Sequence, residues 1–392
     1  MKANRIKIIG LVVLALAFSL AVGMPAGASS RSSKKIEPRV GTISQAAAYA
    51  ESAAAANMSS KVLVNWNKGG KVIVPLPSRA RVHGKKIGYL GFGQNNPWSQ
   101  WMFKAVQAEA AKFGATATFI GPPSFDPQVE YQEIVSAAET KQYAGLVVVP
   151  IDGPSLVRAE ALAVKAGIKV VNAGFSVGAP LSTVSPVRGV VSQVIENLKT
   201  DSQALAQGVI HSCVKVSNCQ VDVLWGDRAL SWDAVKPKFF YALISKHHNI
   251  HLVCQTDADY TETEGTTEVA ACLLAHPGMS VIASSSDYTS LGAVQAIEHA
   301  HRNFGLASND IKIVSSYSAV YGIKMVRDGL FEQTWYNRPQ AMGAAATALA
   351  LDAMEGIKVP AYINQSNLDN IPTTITPAVA KKFPGLLGQW SF

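Results

Sequence analysis

From about residue 85 onward, short apolar runs alternate with longer stretches of helical period. The first run, 86–90, reads as a strand; it breaks at Gly91-Phe92-Gly93 and passes through Gln94-Asn95-Asn96-Pro97 into a helix. Met102, Val106, Ala110 and Phe113 recur there at helical spacing, and Gly114 ends the run. Strands follow at 116–120, 144–150 and 169–172, with helices at 127–141 and 154–166 between them. The 144–150 run is apolar throughout, as suits a strand covered on both faces. A long helix is expected over 191–214, and then the rhythm resumes. Strands are expected at 221–225, 251–255, 279–283 and 311–315, and helices at 233–246, 262–276, 289–301 and 321–328. A late strand at 334–337 and a helix at 339–355 precede a Pro/Asn-rich tail. Such alternation predicts parallel sheets with crossovers. The second run repeats the first, so the expected fold class is α/β, with two similar doubly wound parallel-sheet lobes.

In open α/β sheets, ligands bind beyond the carboxyl ends of the strands. The loop after the first strand presents two amides, Asn95 and Asn96, and two indoles, Trp98 and Trp101. Amides donate and accept hydrogen bonds without charge, and indoles stack on flat or apolar faces. The plainer alternative is that the asparagines cap the helix and the indoles are core. Gly91-x-Gly93 is not a complete dinucleotide fingerprint, because Asn96 stands where the third glycine belongs. Trp98, Trp101, Trp225, Trp232 and Trp335 all fall at strand ends or in the loops after them, while Trp66 and Trp390 fall elsewhere. Jointly they predict an aromatic-lined cleft for an aromatic, heterocyclic or cationic ligand, or for a sugar with an apolar face.

The N-terminus changes the picture of charge. Residues 1–28 have a basic start (Lys2, Arg5, Lys7), an apolar run over 8–22 and a small-residue site at Ala26-Gly27-Ala28, as a signal peptide has. The apolar run is too short for a comfortable membrane span, and no cysteine follows it to accept a lipid. The chain's formal charge of +8 comes from the leader and from residues 31–86, where eleven Lys and Arg face only Glu37 and Glu51. The body after residue 86 is mildly acidic, which disfavours a nucleic-acid groove. Residues 29–82 read as an extension with an alanine-rich patch. Four cysteines in an exported chain predict disulfides. They can be joined in three ways, and sequence-local pairing, Cys213 with Cys219 and Cys254 with Cys272, is expected. Their spacing is not that of a zinc site.

From about residue 82 to the C-terminus the chain resembles the type I periplasmic solute-binding proteins of ABC importers, the ribose/galactose-binding class. The marks are the strand–Asn-Asn-Pro-aromatic–helix opening and Ala144-Gly-Leu-Val-Val-Val-Pro150, followed by a helix and Gly167-Ile-Lys-Val-Val171. Ser286-Asp287 before Leu291-Gly292-Ala293, and Asp328-Gly329 followed by Thr334 and Pro339, complete the set. The resemblance implies two lobes joined by a three-strand hinge. The first is expected at 83–197 plus 338–366, the second at 198–337 plus 367–392. It also implies ligand contacts at Asn96, Trp98 and Trp101, at Tyr260, at Ser286 or Asp287, and at the hinge amide Asn337. Three charged sugar contacts of the family are absent. Gly174-Phe175 stands for Asp-Arg, Ala234 beside Trp232 for Arg, and Tyr317 for Asp. Phe175, Trp232 and Tyr317 are therefore expected to line the cleft, and the ligand to be held by stacking and neutral hydrogen bonds more than by ion pairs.

The expected function is capture of a small solute, sugar-like or more aromatic, for ABC-type import across the cell envelope, by a monomer without cofactor, metal or nucleic acid. A sensor that presents its closed form to a membrane receptor is the alternative. A secreted enzyme on this fold is a remote one, since no histidine is placed by motif to activate Ser284, Ser285 or Ser286.

Overall fold

The computed structural model describes residues 70–392 apart from Ile73; the expected leader, the alanine-rich patch and Trp66 lie outside these. The apolar runs form strands β1 (Lys86–Leu90), β2 (Thr116–Phe119), β3 (Gly145–Val148), β4 (Lys169–Gly174) and β5 (Ser192–Ile195). They continue as β6 (Cys219–Trp225), β7 (Ile250–Asp257), β8 (Met279–Ser284), β9 (Lys312–Val314), β10 (Thr334–Trp335), β11 (Tyr362–Asn364) and β12 (Thr374–Ile375). One sheet runs β2-β1-β3-β4-β5-β11, parallel at every pairing. The other runs β7-β6-β8-β9, also parallel, and a single bridge from Val314 to Gln333 leads on to β10, which pairs antiparallel with β12. Both sheets thus place their second strand outermost and their first inside it. This is the two-lobe doubly wound architecture that the alternation predicts.

Helices between the strands begin where their sequences supply a cap. Asn96, Asp126 and Asp152 each accept a backbone N–H from the first turn, and each is followed within two residues by proline. One expected element is different. Residues 191–214 are not a single helix: Ser192–Ile195 is β5, and the helix is Leu198–Cys213, started by Asn197 Oδ1 accepting the Thr200 N–H at 3.1 Å. Polar Ser192 and Gln193 mask the strand, because β5 is buried yet not apolar throughout.

The chain passes between the sheets three times. It leaves β5 for helix Leu198–Cys213, which packs on the second sheet. It returns after β10 through Asn337 to helix Pro339–Met354, which packs on β3, β4, β5 and helix Pro97–Lys112. It crosses again between β11 and β12. Helix Pro339–Met354 is buried along 14 of its 16 residues and rich in alanine, as a helix without a solvent face must be. Gly343 lets it approach helix Pro97–Lys112, since a Cβ there would lie 2.7 Å from Met102 Cγ.

The end of the expected extension is packed against the first lobe. The Lys71 N–H donates to Asn367 O at 2.9 Å, and Val74 and Val82 are buried in that lobe's core. The disulfides are Cys213–Cys219 and Cys254–Cys272, the sequence-local pairing. Among the described residues, no helix is long and apolar enough to cross a membrane.

Candidate functional site at the lobe interface

The carboxyl ends of the strands in both sheets converge on one cluster. From the first sheet, β1 leads to Phe92 and Trp98, β4 to Phe175 and β5 to Glu196. From the second, β6 leads to Trp232, Asp233 and Lys236, β7 to Tyr260, and β9 to Tyr317. Asn337 lies on the second passage between the sheets.

The rings form a continuous stack across the interface. Phe92 lies 5.2 Å from Trp98 and 5.6 Å from Phe175, and Phe175 lies face to face with Trp232 at 4.3 Å and 14°. Trp232 continues to Tyr260 at 5.7 Å, and Tyr260 meets Tyr317 edge-on at 6.2 Å. The indole N–H of Trp232 also donates across the interface to Ile151 O at 2.9 Å. Backbone geometry is adapted to these rings. Gly226 leaves room for Tyr260, since a Cβ there would come within 2.0 Å of its ring. Tyr260 and Tyr317 themselves hold left-handed backbones, with φ of 56° and 72°. For bulky residues that conformation costs on the order of 1–3 kcal/mol each, and it persists where the surroundings impose it.

Polar groups tie the rings together. Trp98 Nε1 donates to Asn337 Oδ1 at 2.8 Å, and Asn337 Nδ2 donates to Glu196 Oε2 at 3.3 Å. The Tyr317 hydroxyl donates to Glu196 Oε1 at 2.8 Å and accepts from Lys236 Nζ at 3.1 Å. Lys236 Nζ lies 3.1 Å from Asp233 Oδ1 and 3.5 Å from Asp201 Oδ2, and Tyr260 donates to Asp233 Oδ2 at 2.7 Å. All four charged groups are buried. Burial, with Asp201 and Asp233 nearby, pushes Glu196 up to about 8 against the pull of Lys236 and Tyr317. Burial likewise raises Asp201, against the pull of Lys236. For Lys236 burial acts to lower the pKa, but Asp233, Asp201 and Glu196 outweigh it and hold the ammonium charged.

Of the residues expected from sequence, the structure brings together Trp98, Phe175, Trp232, Tyr260, Tyr317 and Asn337. It leaves others out. Asn95 is exposed, and Asn96 caps the helix, its Oδ1 accepting the Ser99 N–H at 2.9 Å. Trp101 donates to Ser391 O at 3.1 Å, under the ammonium of Lys104. The Asp287 carboxylate is enclosed in the second lobe, accepting from Ser315 and Thr334. Trp225 is core, packed edge-on to Phe240. Conversely, Trp390 donates to Tyr317 O and braces the cluster from behind.

The interface is also more charged than the sequence led us to expect. The charge comes from Glu196, Asp201, Asp233 and Lys236. Arg228 pairs with Asp257 near the surface. Glu196 was hidden because residues 191–214 read as one helix. Lys236 and Asp201 carry no motif, and only the fold brings them together.

Hollows of about 560 Å3 beside Cys213 and His247, and about 530 Å3 beside Asp126 and Tyr131, touch none of these residues. Among the described residues, one trio could offer metal ligands, Asp222 with Cys254 and Cys272, and its sulfurs are joined in a disulfide.

Known proteins share this architecture. A family profile described as "Periplasmic binding protein domain" matches residues 87–358. The ribose import binding protein of Bacillus subtilis (strain 168) is 22% identical over 272 residues, 69% of this chain and 82% of that protein. Among solved structures, an ABC transporter solute binding protein from Mycobacterium smegmatis with bound glycerol is 21% identical. The alignment covers 79% of this chain and 99% of that one, with a TM-score of 0.65. The periplasmic binding protein component of the arabinose ABC transporter from Shewanella sp. ANA-3, bound to α- and β-L-arabinofuranose, is 20% identical, covers 77% and 95%, and has a TM-score of 0.65.

Proposed function

The chain belongs to the periplasmic binding protein domain family, and on that footing we propose that it captures a small solute between its lobes and delivers it to the permease of an ABC importer. The observation that carries this reading is the convergence of rings and hydrogen-bonding groups from both sheets, at their carboxyl strand ends, on Asn337 and Glu196 where the chain passes between lobes. Groups so placed separate if the lobes part and meet when they close, so an occupant held by both sides favours the closed form. Relatives named for ribose and arabinose make a sugar-like solute one candidate, and the depth of aromatic stacking makes a flatter, less hydroxylated solute another. The site residues we assign are Phe92, Trp98, Phe175, Trp232, Tyr260, Tyr317 and Asn337. The leader at 1–28 and the two disulfides support export to the periplasm or cell envelope. We assign no catalysis, since no nucleophile–base pair stands among these groups, and we take the protein to act as a monomer.

The test is a tryptophan-fluorescence and thermal-shift screen of the mature chain with ribose, arabinose, myo-inositol, nucleosides and organic amines. Saturable binding that raises the melting temperature and is lost in Trp98→Ala is the expected result. Saturable binding that Trp98→Ala and Asn337→Ala leave unchanged would place the site elsewhere.

A further inference from the structure

Acid groups outnumber basic groups at the lobe interface. Glu196, Asp201 and Asp233 are carboxyl groups, and among the described residues Lys236 is the one cation within contact of them. The groups facing Glu196 are Lys236, Asp201, Asp233, Tyr317 and the Asn337 amide, so nothing else there supplies positive charge. Asp233 Oδ1 faces the Lys236 ammonium at 3.1 Å, and its Oδ2 accepts from the Tyr260 hydroxyl and the Asp227 N–H, both at 2.7 Å. A second, independent feature points the same way. Lys236 Nζ sits 5.3 Å from the Trp232 ring centroid and 4.9 Å from that of Tyr317, and the stack of Phe175 and Phe92 continues from Trp232. Ring faces carry partial negative charge and attract cations most strongly where water is excluded. The interface therefore carries acid groups and aromatic faces side by side.

We propose that the solute taken up at this site is a small organic cation, a protonated amine or quaternary ammonium with a flat or apolar body, its charge directed to Glu196 and Asp233 and its body stacked against Phe175 and Trp232. This rests on the solute-binding reading above and narrows it. A neutral polyol would leave the surplus carboxyl groups either protonated or unpaired in a buried place, which is costly. A cation removes that cost. Glu196, raised to about 8, holds its proton at neutral pH, so a cation entering beside it displaces the proton. Binding of a cation below pH 8 therefore releases protons, and binding of a sugar need not.

The experiment uses the mature chain and matched probe pairs: choline against its neutral isostere 3,3-dimethylbutan-1-ol, and benzyltrimethylammonium against neopentylbenzene, with ribose, arabinose and myo-inositol alongside. Calorimetry at pH 7 in two buffers of different ionisation enthalpy reads affinity and proton release together. The expected result is at least tenfold tighter binding of a cation than of its isostere, with proton release, and loss of that preference in both Glu196→Gln and Asp233→Asn. The two variants are checked for native circular dichroism, and either one that folds suffices. A sugar that binds while every cation fails overturns the cation assignment and leaves the solute-binding reading standing. Cations and isosteres binding equally overturns it as well. No response from any probe counts against both.

Discussion

Trp232 belongs to the second lobe, yet its N–H reaches Ile151 O and its ring lies on Phe175, both in the first. It should therefore act on closure as much as on contact. Trp232→Ala is expected to weaken solute binding by about 2–4 kcal/mol, as loss of a buried aromatic anchor does. Small-angle scattering with saturating solute should then retain more of the open form, and unchanged affinity would remove Trp232 from the site. Lys236 carries a different burden, because three buried carboxyl groups surround it. Removing one partner of a buried ionic group leaves the others uncompensated, typically at about 3–5 kcal/mol. Lys236→Met should lose stability on that scale in urea unfolding, and more at pH 8 than at pH 5.5, where Glu196 holds its proton. Gly226 tests geometry alone. Gly226→Ala must push the Tyr260 ring aside and break its bond to Asp233, so affinity should fall at least tenfold while the melting temperature moves little.

At the scale of elements, most of the fold was legible because strand and helix alternate with distinct apolar periods. The first sheet's central strands and the helices capped by Asn96, Asp126 and Asp152 fall where the pattern placed them. What period could not reveal was β5, whose Ser192 and Gln193 are buried without being apolar, and with it Glu196 at its end. Nor could period show that β10 and β12, two residues each, would pair antiparallel across some forty residues of chain. In the site, rings at strand ends were readable as a class, but which of them face the interface depends on the partners the fold supplies. Trp98 and Trp101, three residues apart, share one side of their helix, yet Trp98 reaches Asn337 while Trp101 is taken up by Ser391 of the C-terminal tail. The segment before β1 has its own consequence. A chain beginning at Gly70 keeps Val74 and the Lys71 bond to Asn367, and one beginning at Arg81 loses both. Burial of one valine is worth about 1.5–3 kcal/mol. The shorter chain should unfold at correspondingly lower urea while binding solute as tightly as the longer one, since Lys71 is bonded to Asn367, outside the assigned site residues. A tenfold loss of affinity in the shorter chain would give this segment a part in the site.

Across the whole molecule, buried carboxyl groups recur in both lobes and between them. Burial pushes Glu160 in the first lobe up to about 8, and raises Glu130 beside it. At the interface it pushes Glu196 up to about 8, and in the second lobe it pushes Asp222 and Asp287 up to about 7. In the unfolded chain such groups titrate at about 4. Between roughly pH 4.5 and 8 the folded protein therefore holds protons that the unfolded chain has released. Stability changes with pH in proportion to the protons bound unfolded minus those bound folded, which here is negative. The protein should accordingly lose stability as pH rises through that window and level off above about 8, the reverse of ordinary acid denaturation. Melting temperatures from pH 5.5 to 8.5 are expected to fall and then flatten. Glu160→Gln should lower the slope because its amide never ionises, and Glu160 interacts with Asn172 rather than with the interface groups. A melting temperature that climbs from pH 5.5 to 8 would mean that these carboxyl groups are ionised in the folded state. Their burial would then be compensated by partners other than protons, and the proton release expected on cation binding would vanish with it.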